Sequence, residues 1–311
     1  MAKIGTTELD VHPLNLGGNV FGWTADERQS FAVLDAYAQA GGNFIDTADM
    51  YSQWVPGNSG GESETIIGNW MAARGNRDDI VIATKLSALE GFTGLSAGNV
   101  KAAAEGSLKR LGTDHIDLYY SHYDDESTPI EETLAAFDAL VGEGKVRHIA
   151  ASNLSAARVA ESLAISDREG FARYVALQPH YNLVERSGYE TEYGDLVARE
   201  GLAVFPYWAL AKGFLTGKYR DVDATGDSPR AGAASAYLDE RGKRVLAVLD
   251  QVAAAHSTTV AAVSLAWLTA QPNVVAPIAS ARNPEQLADL LPAATLVLTT
   301  AEVAALSETA G

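Results

Sequence analysis

Short apolar runs alternate with longer segments of helical periodicity along almost the whole chain. Eight runs read as strands, centred on 13–17, 43–48, 80–85, 116–122, 146–152, 174–179, 202–208 and 273–279. Between them, apolar positions recurring every three to four residues predict helices over 26–40, 63–74, 99–111, 130–143, 156–165, 189–200, 260–270 and 285–291. Continuously apolar strands that alternate with helices predict a parallel sheet covered on its faces. Two stretches break the alternation. The loop 51–62 is rich in Gly, Pro, Asn and Ser and is long enough to overhang one end of the sheet. The stretch 210–241 holds four glycines and little periodicity, and precedes an extra helix over 243–255. Irregular segments of this length in a compact domain are often lids or clamps.

Length decides the domain count. At 311 residues the chain exceeds the usual domain size, yet α/β barrels of this length fold as one unit, so residues 1–311 read as a single domain. A hydrophobic content of 47% supports a large core. The formal charge of −17 argues against nucleic acid or an anionic membrane as partner, because both attract the opposite sign. There is no cysteine, which removes disulfides and thiolate chemistry. No basic segment followed by an apolar run opens the chain, and no stretch nears the roughly 20 apolar residues a membrane span needs, so the expectation is a cytoplasmic protein. The Asn153-Leu-Ser155 glycosylation sequon is then chance.

Candidate chemistry gathers at strand ends. In Asn43-Phe-Ile-Asp-Thr-Ala-Asp-Met-Tyr-Ser52 a short strand delivers Asp46 at its end and Tyr51 in the loop after it, while Lys85 and His122 close the third and fourth strands. A phenol with an unperturbed pKa of about 10 is a poor acid near neutrality, but an adjacent ammonium favours phenolate and makes it a better donor. Eight βα units fit either a closed barrel or an open doubly wound sheet. A barrel gathers residues from several strands on its C-terminal face, whereas an open sheet concentrates its site where the strand order reverses. Three successive strands ending in complementary groups favour the closed (β/α)8 TIM barrel. Taken singly, each of these residues has a plainer use: Asp as a helix cap or turn residue, Lys as a solvated strand end, His as a structural side chain.

Taken together, in this order, they resemble the Asp/Tyr/Lys/His tetrad of the aldo-keto reductase superfamily, in its bacterial and potassium-channel β-subunit-like branch. The resemblance runs from Gly17-Gly-Asn through Gly61-Glu-Ser-Glu64 and Pro129-Ile-Glu-Glu-Thr-Leu134 to Pro284-Glu-Gln-Leu287. It implies an NAD(P)H-dependent enzyme that reduces an aldehyde or ketone by hydride transfer from NADPH, with Tyr51 protonating the oxygen. Lys85 lowers the phenol pKa, Asp46 holds Lys85, and His122 hydrogen-bonds the carbonyl oxygen. NAD is the alternative cofactor.

The resemblance also assigns cofactor positions, since neither a GxGxxG turn nor a P-loop is present and Gly213-Phe-Leu-Thr-Gly-Lys218 has the wrong spacing. Ser152, Asn153 and Gln178 match the groups that bind the carboxamide, and Tyr207 the aromatic that stacks on the nicotinamide. Leu210, Lys212, Gly213, Lys218 and Arg230 match the segment crossing the pyrophosphate, with Ser280, Arg282, Gln286 and Asp289 on the adenosine side. In a chain this acidic, local cations must overcome the general field, and Arg282 ahead of a helix opening at Pro284 suggests a 2′-phosphate site. Two positions depart from the pattern: Trp208-Ala209 replaces a Ser-Pro pair, and Leu290 replaces an Asn.

Phe21, Trp23, Trp54 and Tyr123 lie in loops near the expected mouth and predict aromatic walls for an apolar or ring-shaped substrate. One rival reading is a binding protein like the channel β-subunits, which carry Asn where His122 stands. Another is a carboxylate-based metal enzyme or hydrolase, but no ligand cluster of usual spacing is visible and no metal is expected.

Overall fold

The structure, a computed structural model, describes residues 1–220 and 231–311. Eight parallel strands form one sheet: β1 (Asn15–Gly17), β2 (Phe44–Asp46), β3 (Val81–Leu86), β4 (Ile116–Ser121), β5 (Val146–Ser152), β6 (Tyr174–Gln178), β7 (Ala203–Val204) and β8 (Ile278–Ala279). Neighbours follow chain order from β1 to β7, and β8 lies beside β1. Three hydrogen bonds close the ring between the seventh and eighth strand segments: Val204 N to Asn273 O at 2.9 Å, Val275 N to Val204 O at 3.0 Å and Ile278 N to Pro206 O at 2.9 Å. This is the (β/α)8 barrel, not the open sheet.

Of the expected strands 202–208 and 273–279, regular pairing covers only two residues each, and Trp208 and Asn273, with φ 50° and 64°, lie in turns. Pro206 and Pro277 supply the reason: a proline donates nothing to a ladder, so each interrupts its own strand. The expected helix 189–200 is two pieces, Ser187–Glu192 and Gly194–Glu200, meeting at Tyr193. The extra helix starts earlier than its periodicity suggested, at Glu240, because the Asp239 side chain caps it by accepting from the Gly242 amide.

Two apolar cores follow from strands that are buried on both faces. The lumen is filled by Phe44, Val81, Leu118 and Phe205, and is plugged from below by Ile4, Leu9 and Val11. Those three belong to an N-terminal antiparallel hairpin, Ala2–Lys3 with Asp10–Val11, whose strands are too short to leave a periodic signal. The second core lies between sheet and helices and holds the fully buried Trp70, Phe137 and Trp267. A C-terminal helix, Thr300–Ala310, also escaped the pattern; it opens on a Thr299/Glu302 capping box and packs on Glu240–Ala255. Among the described residues no single helix is long and apolar enough to cross a membrane; one pair, Glu240–Ala255 and Val260–Thr269, passes only jointly and is bent by 95°.

At the lower end of the barrel, buried Asp117 of β4 accepts from Arg77 Nη2 at 2.8 Å, Arg147 Nη1 at 2.7 Å and the Ile82 amide at 2.8 Å. Helices Glu62–Arg74 and Ala97–Leu111 approach so closely that a Cβ on Gly68 would lie 2.5 Å from the Arg110 carbonyl. That contact brings Arg110 to the buried Glu64, at 2.6 Å. It also frames the site described next.

Candidate active site

The C-terminal ends of the strands open into a cleft of about 500 Å³. Asp46 ends β2, Lys85 stands one residue before the end of β3, and His122 follows β4 directly. Because side chains alternate along a strand and the strands are parallel, these groups point from successive strands toward one axis. The Lys85 ammonium is fully buried and gives its hydrogen bonds to Asp46 Oδ2 at 2.6 Å, the Thr47 carbonyl at 2.6 Å and Tyr51 Oη at 3.0 Å. Burial lowers the Lys85 pKa, while Asp46, Asp49 and Glu64 pull it back up. Tyr51 Oη also lies 3.4 Å from Asp46 Oδ2.

His122 is buried against Tyr123, ring on ring at 4.8 Å. Burial, then the Lys85 charge, hold its pKa well below the ordinary value, so the imidazole is neutral. Among the described residues its Nδ1 is buried without a partner, which leaves Nε2 to serve a ligand.

A second network joins β5, β6 and β7. Gln178 Nε2 donates to Asp46 Oδ1 at 2.8 Å, a direction the carboxylate dictates because only the amide nitrogen has protons to offer. Ser152 Oγ donates to the Gln178 carbonyl at 2.9 Å, Asn153 Nδ2 to the His122 carbonyl at 2.9 Å, and Tyr207 Oη to Asn153 Oδ1 at 2.9 Å. Burial pushes the Tyr207 phenol up to about 12, so it stays a neutral donor. Asn153 adopts φ 54°, a left-handed turn that Asn tolerates. The sequence pairs Gln178 with a carboxamide but gives no hint that its amide also clamps Asp46, a partner 132 residues away.

Leu210, Lys212, Gly213, Lys218, Ser280, Arg282, Gln286 and Asp289 all line the cleft; Arg230 lies outside the described residues. Lys212 sits over the Trp208 ring at 4.4 Å and Lys218 over Tyr219 at 4.8 Å. Among the described residues, neither these two lysines nor Arg282 has a carboxylate within ion-pair distance, whereas Arg74, Arg77, Arg110, Arg158 and Arg220 all do. The helix after Arg282, Pro284–Leu290, is only seven residues long, and its N-terminus is already capped by Asn283 Oδ1 on the Gln286 amide. Gln286 Oε1 in turn takes the Arg282 amide. The expected pairing of helix terminus and guanidinium therefore reduces to the guanidinium. Asn19, unassigned in the sequence although it belongs to the Gly17-Gly-Asn motif, accepts from Ser280 Oγ at 2.7 Å and lines the same cleft.

One arm of the cleft is aromatic. Trp23, Trp54 and Tyr123 line it, with Trp23 and Trp54 edge to face at 5.5 Å. Trp54, Tyr123 and Trp208 are 44%, 48% and 44% exposed, unusually bare for their size. Phe21 corrects its expectation. It is fully buried in the outer core and does not reach the cleft, because its carbonyl is tied to Ser52 Oγ at 2.8 Å beneath the loop.

With this geometry in place, comparison with known proteins is decisive. The aldo/keto reductase family model matches residues 13–310. The chain belongs to the aldo/keto reductase family. It is 35% identical over 305 residues to the uncharacterized oxidoreductase YrpG of Bacillus subtilis, covering 95% of this chain and 91% of that one. It is 33% identical to norsolorinic acid reductase B of Aspergillus parasiticus, covering 96% and 80% of the two chains. A probable voltage-gated potassium channel subunit beta of Oryza sativa is 32% identical, over 97% and 93%. Membership makes the chain an NAD(P)H-dependent oxidoreductase of small-molecule carbonyl compounds. Among the described residues no group of three or more His, Asp or Glu is placed to hold a metal ion.

Proposed function

We propose that the chain, working as one unit over residues 1–311, reduces an aldehyde or ketone with NADPH and that Tyr51 is the proton donor. The observation that carries this reading is the line Asp46–Lys85–Tyr51, with Nζ 2.6 Å from the carboxylate and 3.0 Å from the phenol, opening on a cleft with one cationic and one aromatic arm.

The cationic arm fits an anionic dinucleotide. Lys212, Lys218 and Arg282 face the cleft without carboxylate partners among the described residues, in a chain whose net charge of −17 would otherwise repel such a ligand. Arg282 suits a 2′-phosphate, since a guanidinium binds phosphate through two donors at once. Ser152, Asn153 and Gln178 present polar groups where a carboxamide would lie, and Tyr207 offers a ring face. The bound nicotinamide supplies the hydride, which is its own chemistry.

The residues of this chain do the rest. A substrate oxygen at the cleft floor takes a hydrogen bond from neutral His122, whose depressed pKa keeps it from competing as the acid. As negative charge grows on that oxygen, the Tyr51 proton moves to it. The phenolate left behind is stabilised by the Lys85 ammonium, already oriented by Asp46 and the Thr47 carbonyl, so little reorganisation is needed. Gln178 keeps Asp46 from turning away. General acid transfer of this kind is worth about 10²–10⁴ in rate. Trp23, Trp54 and Tyr123 shield the reacting oxygen from water and favour an apolar, ring-bearing substrate. The name norsolorinic acid reductase, carried by several relatives, supports reduction as the direction. A cytoplasmic setting, which supplies reduced cofactor, suits the reading.

The test is a panel of aromatic and aliphatic aldehydes and ketones followed by loss of reduced-cofactor absorbance, run in parallel with NADPH and NADH. Turnover of ring-bearing carbonyls with a lower KM for NADPH is the expected result. No turnover of any member, or equal use of both cofactors, would overturn the corresponding half of the reading.

A further inference from the structure

Directly behind Lys85 lies a carboxyl that none of the site's hydrogen bonds employs. Asp49 is fully buried, and among the described residues neither of its side-chain oxygens has a hydrogen-bond partner of good geometry. Only its backbone is held, the amide donating to the Lys85 carbonyl at 3.1 Å. Its surroundings hold charge on every side. On helix Glu62–Arg74 stands Glu64, which takes Thr84 Oγ1 at 2.6 Å and Arg110 Nε at 2.6 Å. Arg110 belongs to helix Ala97–Leu111, Lys85 to β3, Tyr119 to β4 and Asp46 to β2.

Counting charges shows the odd group. Lys85 is matched by Asp46 and Arg110 by Glu64. An ionised Asp49 would be the third buried anion against two cations, with only the neighbouring Met50 amide to offset it. An unpaired, unsolvated charge is the most costly thing a protein interior can hold.

We propose that Asp49 is a positioning residue for the carbonyl reaction: a buried carboxylic acid that retains its proton during turnover near neutrality and so leaves Lys85 free to stabilise the Tyr51 phenolate. The inference rests on the reading of Tyr51 as proton donor. Burial and the Glu64 carboxylate outweigh Arg110, the Met50 amide and Lys85, and push Asp49 up to about 8. Above that pH a second anion stands near Lys85. It strengthens the hold on the ammonium's protons and opposes phenolate formation, so ionised Asp49 acts on Tyr51 through Lys85. The step balances simply: Asp49 loses one proton to solvent, and the next proton, from Tyr51, becomes harder to remove.

Two measurements test this on the full chain. First, infrared spectra of protein labelled with ¹³C at aspartate carboxyls should show a protonated carboxylic acid band below neutrality that fades as pH passes 8. Either Asp49→Asn or Asp49→Glu should remove or replace it, so one folded variant suffices for assignment. Absence of the band below neutrality overturns the proposal, whatever the enzyme turns over. Second, with NADPH and a carbonyl that the parent reduces, Asp49→Asn should shift the high-pH loss of kcat to lower pH by about one unit, a tenfold change in the governing equilibrium. In the oxidative direction, the rise of kcat with pH should move by the same amount. An unchanged pH profile in a folded Asp49→Asn variant would assign Asp49 a purely structural part. If no carbonyl is turned over, the reductase reading fails while the infrared result still decides the state of Asp49.

Discussion

Asp117 and Asp49 are both aspartates with no exposure to solvent, near opposite ends of the barrel, and they are treated in opposite ways. Asp117, at the lower end, receives two guanidiniums and a backbone amide, and so ties β4 to β3 and β5. Asp49, at the upper end, has no hydrogen-bond partner of good geometry among the described residues. A fold that places a buried carboxylate for stability surrounds it with donors; one left without donors is tolerated because something else requires it. In barrels of this kind the lower face is read as stability and the upper as chemistry, and these two residues draw that line.

The comparison can be broken by substitution, starting where the effect should be largest. Tyr51→Phe removes the phenolic proton from the upper face and should cost about 10²–10⁴ in kcat for carbonyl reduction while leaving the melting temperature and NADPH binding nearly unchanged. Near-normal turnover in that variant would show that the proton comes from elsewhere. At the lower face, Asp117→Ala strands Arg77 and Arg147 and should destabilise the protein by about 3–5 kcal/mol by denaturant unfolding, with kcat of the folded protein retained. A loss of kcat without a loss of stability would dissolve the division between the faces.

Asp49→Asn should act on stability with a pH dependence that Asp117 does not share. In the unfolded chain this carboxyl gives up its proton around its ordinary value of 3.8; in the fold it keeps it to about 8. Folding therefore takes up a proton between those values, and the stability Asp49 contributes is full below the lower one, falls as pH rises, and is lost above the upper one. Relative to the parent, the Asn variant should gain stability steadily across that window and hold a constant gain beyond it, on the order of a few kcal/mol. A difference independent of pH would mean that Asp49 is ionised throughout.

Smaller effects concern the cofactor arm. Arg282→Ala should raise KM for NADPH about tenfold, with little change for NADH and little in kcat, because it deletes a phosphate contact distant from the reacting atoms. Equal weakening of both cofactors would remove Arg282 from the 2′-phosphate. The smallest expected effect is none. Exhaustive chelation should leave activity intact, and a loss restored by added divalent metal would sink the phenol mechanism.

Much of this is legible in the sequence alone. The alternation of apolar runs and helical periodicity marks the βα units, and polar residues closing three successive strands mark the mouth, because period and strand ends are local properties of a sequence. The shortened β7 and β8 follow from Pro206 and Pro277, which were visible but whose effect depends on which edge of the ladder they occupy. The N-terminal hairpin and C-terminal helix were not legible: the first is too short for a period, and the second is held by partners such as Trp267, whose Nε1 meets Ser307 Oγ at 3.0 Å. Phe21 shows the limit most simply. A loop aromatic near a mouth looks alike in sequence whether it faces the cleft or, as here, the core.

By itself, then, the chain determined its architecture, its family resemblance and the identity of the Asp46, Tyr51, Lys85 and His122 constellation, since those are written in local pattern and order. Only the tertiary structure decided which polar groups are matched and which are left over. Gln178 clamps Asp46 across 132 residues, Arg110 answers Glu64 across 46, and Asp49 is answered by no donor among the described residues. Whether a buried charge is satisfied depends on distances of a few ångströms between elements far apart in the chain, and no local pattern encodes such distances.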